Sequence, residues 1–441
     1  LEGDRKREAH NMSSRHNVLA LLITIVLCVA GCQEAPGPEE PEVMDLSHLL
    51  SNEDLQDLGM RLFFDENLST PPGQSCATCH GPEAGWTGPD EAVNMAGGVY
   101  PGAIPERFGN RKPNSAAYAS PSPLLHAIKE EDGVLFVGGN FWDGRATGFE
   151  LGNTAADQAM GPFLNPVEQN NPSAAVVVEK VCRSDYAPMF RQVASEIWGI
   201  ENICGHDDPE MAYGIICIAI AAFESSDGVN QFTSKYDYYL KGEAELTAEE
   251  ELGLELFEGK TMCADCHPSR PGPGGEPPLF TDFTYDNLGI PRNPKNPWYK
   301  MGAEFNPDGE NWVDPGLGGF LKTTPQYAMF ADENYGKHRV PTLRNVDMRP
   351  DPDFVKVFGH NGYFESLEQF MHFYNTRDVL ACSENVENPE PGVNCWPPPE
   401  VSENLNTTEL GDLGLTAEEE AAVVAFMRTL TDGYEPQGAG E

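Results

Sequence analysis

The chain is poor in positive charge. Among 441 residues, 28 Lys and Arg stand against 70 Asp and Glu, a formal net charge of -42. Nucleic acid and anionic lipid surfaces repel such a body, so neither is expected as a partner. A basic redox partner, or a salty habitat in which acidic surfaces keep proteins soluble, accounts for the balance equally well. Long apolar runs are also missing. The run Val18 to Ala30 is too short to span a bilayer comfortably, and no later segment is long and apolar enough. Zinc is disfavoured as well, because four-ligand zinc sites use cysteine and histidine spacings other than those found here.

The apolar run reads as an address. Arg15 and His16 precede it, and it ends in Val29-Ala30-Gly31-Cys32, which resembles the lipobox of bacterial lipoproteins. Cys32 is then the lipidated first residue; ordinary cleavage near Gly31 is the alternative, and residues before Met12 read as a mis-set start. Residues 1–31 are expected to be a lipoprotein signal peptide. Residues 32–45, rich in Pro and Glu, read as a flexible tether. The expected location is the periplasm, with a lipid anchor in the outer membrane as the one membrane contact. The first segment carries Arg5, Lys6, Arg7 and Arg15 against Glu2, Asp4 and Glu8, so its removal leaves the chain one unit more negative.

What the chain does have, twice, is Cys-x-x-Cys-His: Cys76-Ala77-Thr78-Cys79-His80 and Cys263-Ala264-Asp265-Cys266-His267. This is the attachment site of a c-type haem. Two thiols add to the haem vinyl groups as thioethers, and His80 or His267 turns a ring nitrogen onto the iron. The lead-in is repeated too. Leu58-Gly59-Met60-Arg61-Leu62-Phe63 and Leu252-Gly253-Leu254-Glu255-Leu256-Phe257 both place Leu, Leu and Phe at i, i+4 and i+5 after acidic residues. Each predicts a short capped amphipathic helix entering a haem loop. The expected fold is mainly α: two cytochrome-c-like haem domains, 46–240 and 241–441, with long ordered loops, particularly from Pro268 to Pro341. A helix over about Thr416 to Leu430 should close the second domain.

The remaining cysteines fit an exported chain. Cys182 and Cys204 flank a helical segment, Cys382 and Cys395 flank a Pro-rich acidic loop, and each pair is a candidate disulfide. Cys217 lies in the apolar helix Met211 to Phe223 and reads as a buried free thiol.

Between the haem motifs stand Phe141-Trp142-Asp143-Gly144-Arg145-Ala146 and the stretch Gln158-Ala159-Met160-Gly161-Pro162-Phe163-Leu164-Asn165-Pro166-Val167-Glu168. Later come Arg339-Val340-Pro341-Thr342-Leu343-Arg344-Asn345-Val346 and His360-Asn361-Gly362. From about Leu46 to Gly433 the chain resembles the bacterial dihaem cytochrome c peroxidase and MauG family. The resemblance implies that the first haem is peroxidatic and the second transfers electrons. Glu168 matches the catalytic glutamate, able to take a proton from one peroxide oxygen and deliver it to the other. Gln158 would position peroxide or water, Pro162 shapes the same pocket, and Trp142 matches the tryptophan set between the haems.

Two departures carry further expectations. Many family members block the peroxidatic iron with a histidine, yet no histidine lies between His80 and Arg111, so the first haem should be open; His126 reads as structural. Counting from His360-x-Gly362 in the family's register places Tyr374 as sixth ligand of the second haem, with Met371 and His372 as competitors. Peroxidases of the family carry methionine there, and the MauG branch carries tyrosine. A phenolate stabilises higher oxidation states than a thioether does. The family also binds calcium between the haems; here Lys112 stands at the matching place, with Asn110 and Asn114 nearby, and the later carbonyl segment reads Met348-Arg349-Pro350-Asp351-Pro352. Calcium is thus carried over without ligands.

The expected function is reduction of hydrogen peroxide at the first haem, with electrons relayed through the second from a small redox protein. The alternatives are MauG-like oxidation of tryptophan or other residues in a partner protein, and a dihaem electron carrier without peroxide chemistry. Cleavage of a hydrophobic polymer belongs to larger dihaem proteins lacking these motifs.

Overall fold

A computed structural model describes residues 46–436, apart from 131–132, 384–385 and 387. The signal peptide, the tether and Cys32 lie outside the described residues. Helix dominates. The main helices are α1 (Glu53–Phe63), α2 (Thr154–Leu164), α3 (Ala174–Arg183), α4 (Ala187–Trp198), α5 (Pro209–Glu224), α6 (Ala248–Glu258), α7 (Leu367–Thr376) and α8 (Ala417–Arg428). Sheet is slight. Among the described residues β1 (His126–Glu130) pairs antiparallel with β2 (Gly133–Val137), and β3 (Tyr285–Asp286) pairs with β4 (His338–Arg339). No described helix is long and apolar enough to cross a membrane.

The two lead-in helices form for legible reasons. Asn52 caps α1 by accepting the Leu55 N–H at 2.9 Å, and Glu53 and Asp54 complement the positive end of the dipole. In α6 the cap is a reciprocal box: Thr247 Oγ1 accepts from the Glu250 N–H, and Glu250 Oε2 accepts from the Thr247 N–H at 2.7 Å. Leu55, Leu58, Leu62 and Phe63 are buried along one face of α1, and Leu256 and Phe257 at the end of α6.

Each lead-in helix crosses a helix far along the chain, and in both cases a glycine makes the crossing. A Cβ at Gly59 would stand 1.9 Å from the Ala219 carbonyl oxygen of α5 and 2.8 Å from Phe223 Cβ. At Gly253 it would stand 2.0 Å from the Ala422 carbonyl oxygen of α8 and 2.8 Å from Phe426 Cβ. The internal repeat is therefore a repeat of packing: lead-in helix, Cys-x-x-Cys-His loop, closing helix. Around these pairs the apolar side chains gather into two large clusters, one drawn from α1 to α5 and the other from α6 to α8 with neighbouring loops.

Polar ties run between distant segments of the described chain. Arg344 reaches Asp237 with two nitrogens at 3.0 and 2.8 Å and donates its third to the Pro278 carbonyl at 2.7 Å. Arg111 holds Asp314 at 2.6 and 2.7 Å and Asp143 at 2.7 Å. Breaking a buried pair of this kind costs on the order of 3–5 kcal/mol. Cys182 and Cys204 form a disulfide with sulfurs 2.09 Å apart, and Cys382 and Cys395 form another. Cys217 is buried in α5 and unpaired, its thiol pushed up by burial.

Candidate haem sites

Two cavities hold the two motifs. The first, with about 1250 Å³ of empty space, is lined by Cys76, Cys79 and His80 together with Trp142, Gln158, Pro162 and Glu168. The second, about 1560 Å³, is lined by Cys263, Cys266 and His267 with Trp142, Met371 and Tyr374. Trp142 lines both.

The two motif histidines are held alike. His80 Nδ1 lies 2.9 Å from the Asn114 carbonyl oxygen, and His267 Nδ1 lies 2.7 Å from that of Phe280. A backbone acceptor on Nδ1 fixes the tautomer and leaves Nε2 as the ligating nitrogen. Burial holds both imidazoles down at about 4, so they are neutral, the form that binds metal. Buried cations that form no ion pair among the described residues sit on the cavity walls: burial lowers Lys112 to about 8, Lys356 to about 7 and Arg339 to about 10. A haem, which brings two vinyl groups and two carboxylates, fits the cysteine pairs, the buried cations and the neutral histidines alike.

The wall of the first cavity that carries Gln158, Pro162 and Glu168 is built by α2 and the turn after it. Asn153 caps α2 by accepting from the Ala155 and Ala156 N–H groups. Gln158 and Pro162 then lie one helical turn apart, on the same face, toward the cavity. The Asn165 side chain starts the turn, accepting from the Val167 N–H at 3.1 Å and donating to Glu168 Oε1 at 2.9 Å. Burial raises the Glu168 carboxyl above its ordinary value, opposed by the Arg145 charge and the Asn165 bond. A carboxyl held in a cavity can both take and return a proton. Arg145 is itself stacked on Phe141, 3.6 Å from the ring centroid, and paired with Asp143 at 2.9 Å.

His80 is the one histidine among the described residues lining the first cavity. His126 lies in β1, its Nδ1 2.9 Å from the Leu124 carbonyl oxygen. In α7, Met371 and Tyr374 line the second cavity, whereas His372 is engaged elsewhere, its Nδ1 2.9 Å from Glu420 Oε1. Burial pushes the Tyr374 phenol well above its ordinary value.

Sequence reasoning missed several residues here. Glu224, the last residue of α5, lines the first cavity with its carboxyl raised to about 8 by burial; only its place after an apolar helix could have signalled it. Asp314, His338 and His360 cluster with ligand atoms within 4.8 Å of one another. The two imidazoles stack face to face at 3.6 Å and 9°. Arg111 neutralises Asp314.

Two cavities, each lined by a Cys-x-x-Cys-His motif, fit a dihaem c-type protein. The sequence model of the di-haem cytochrome c peroxidase matches residues 53–245. Methylamine utilization protein MauG of Paracoccus denitrificans is 34% identical over 382 residues, 86% of this chain and 89% of that protein. Cytochrome c551 peroxidase of Nitrosomonas europaea is 27% identical over 80% of this chain and 81% of its own. Among solved structures, the diheme peroxidase BthA from Burkholderia thailandensis superposes with a TM-score of 0.64 at 30% identity, covering 86% of each chain. The chain belongs to the di-haem cytochrome c peroxidase and MauG family, and as such is a peroxidase-type oxidoreductase carrying two c-type haems.

Proposed function

We propose that the protein is a periplasmic peroxidase, held by a lipid on Cys32, that takes hydrogen peroxide into the first cavity and draws electrons through the second. The observation that carries this is the meeting of Glu168, Gln158 and Pro162 in the cavity of Cys76, Cys79 and His80, with no second histidine on the described wall. When bound, the haems supply the redox chemistry, taking peroxide at iron and passing electrons between the two sites. The chain's own part is proton traffic and positioning. Glu168 takes a proton from one peroxide oxygen and delivers it to the other, and Gln158 orients the peroxide. Pro162 limits the space, and Trp142 stands between the cavities as an oxidisable indole. Residues 46–240 and 241–441 serve as the peroxidatic and electron-transfer domains, and His80 and His267 ligate the irons.

Tyr374 favours a second reading of the substrate. As ligand of the second iron it would give up its phenolic proton to the metal's charge, reversing the effect of burial. A hard phenolate suits a site that stores oxidising equivalents, as MauG-like oxidation of residues in a partner protein requires. A small redox protein donor remains the first reading.

The test is direct. Pyridine haemochrome titration should give two haems per chain, and the ferric spectrum should contain a high-spin haem. The resting diferric protein should react with peroxide in a stopped-flow mixer without added reductant. Two low-spin haems would point to an electron carrier, and reaction only after half-reduction would refute the open first site.

A further inference from the structure

Lys112 and Lys356 bring two ammonium groups to the space beside the cavities. Lys112 lines both, Lys356 the second. Lys112 Nζ donates to the Pro113 carbonyl at 2.9 Å and to Thr87 Oγ1 at 3.2 Å, and the Thr87 hydroxyl donates in turn to Pro113 O at 2.6 Å. Lys356 Nζ donates to the carbonyls of Asn345 and Met348 at 2.9 and 3.1 Å. The seat is fitted from both sides: at Gly85, with φ of 72°, a Cβ would lie 2.7 Å from Asn345 O and 3.2 Å from Lys356 Nζ.

Carbonyl and hydroxyl oxygens gathered this way are the donors a hard cation takes. In this chain lysine N–H groups already occupy them. Calcium takes six to eight oxygens, usually with carboxylates among them. What remains here is one buried oxygen without a partner, Asn114 Oδ1. The nearby carboxylate, Asp347, is held by Arg349 at 2.9 Å and Arg428 at 3.1 Å. Two ammonium groups beside that set would repel a divalent ion further. The residues do not fit calcium.

We propose that Lys112 and Lys356 are the resident cations between the two haem seats, replacing a bound calcium ion, and that their charge helps set the haem potentials. The lysines face cavities that a haem would furnish with carboxylates, which accounts for two buried ammonium groups with no acidic partner. Burial and the Lys112 charge push Lys356 down to about 7, a cost that such carboxylates would offset. The proposal rests on two haems being bound, which the haemochrome titration reports separately.

The holoprotein is dialysed against EGTA, returned to metal-free buffer and analysed for calcium by mass spectrometry, then titrated with calcium chloride. Calcium well below one ion per chain is expected, with ferric spectrum and peroxide rate unchanged by chelation or by added calcium. One retained calcium per chain, or a spectrum lost to EGTA and restored by calcium, would overturn the proposal. In a second arm, spectroelectrochemistry compares Lys112→Met and Lys356→Met with Lys112→Arg and Lys356→Arg. Loss of a nearby positive charge favours the oxidised form, so the methionine variants should titrate at lower potential and the arginine variants near wild type. Unchanged potentials in both methionine variants would remove the lysines from this role. If a methionine variant does not fold, the other variant and the wild-type calcium content still decide.

Discussion

The Trp142 indole N–H donates to the Lys112 carbonyl across 2.9 Å, and both residues line both cavities. The Trp142 carbonyl accepts from the Arg339 N–H at 2.9 Å, so both ring and backbone are held. One bond therefore ties the indole offered as an electron relay to the backbone that carries a resident ammonium group.

Trp142→Phe keeps the packing and removes both the donor and the oxidisable indole. Both haems should load and the ferric spectrum should stay largely intact, while exchange of oxidising equivalents between the haems slows. Rapid freeze-quench spectroscopy after peroxide addition would read this. An unchanged distribution of oxidised species would make Trp142 a packing residue only.

Glu168→Gln keeps the side-chain volume and the Asn165 contact but cannot shuttle a proton. The reaction with peroxide should slow by roughly 10²–10⁴-fold, the usual worth of general acid–base assistance. Stopped-flow rates within a factor of about two of wild type would exclude the role.

Tyr374→Met exchanges a phenol for a thioether on the wall of the second cavity. The second haem should titrate at higher potential, and the peroxide-oxidised state should decay faster. Met371→Leu serves as the control and should leave the potential in place. A shift in the control and none at Tyr374 would move the ligand to Met371.

Gly59→Ala should destabilise the protein through the crossing of α1 and α5. The added Cβ would meet the Ala219 carbonyl at 1.9 Å, and overpacking of this kind costs about 1–3 kcal/mol or more. Gly253→Ala, against Ala422, should behave alike. Thermal melts within about 1 °C of wild type for both would show that the helices part without cost.

Glu224 gives a pH signature. Its carboxyl is raised from 4.5 to about 8 by burial, so the folded chain holds a proton that the unfolded chain releases. Below pH 4.5 the residue is neutral in both states. As pH climbs from 4.5 toward about 8, unfolding is increasingly favoured, and above that the penalty is constant. Glu224→Gln lacks the penalty, so its melting temperature should pull ahead of wild type through that window and then run parallel. A gap independent of pH would show the carboxyl to be ionised in the fold.

Much of this was legible in the sequence because it is local. The caps at Asn52, Thr247 and Thr416 stand at the starts of the predicted helices, and each accepts a backbone N–H. The Cys-x-x-Cys-His spacing is likewise a property of five consecutive residues. The predicted helix ends differ from the observed ones by one or two residues, as at α8, where Thr416 is the cap and Arg428 the last helical residue. What stayed hidden depends on residues far apart in the chain. Nothing in the sequence pairs Arg344 with Asp237, stacks His338 on His360, or brings Lys356 to the carbonyls of Asn345 and Met348. Glu224 reads as an ordinary polar helix end until the fold buries it.

The glycine crossings also make each half of the repeat depend on distant chain. Gly59 of α1 seats against Ala219 of α5, and Gly253 of α6 against Ala422 of α8. Neither lead-in helix can keep its seat once the helix that closes it is removed.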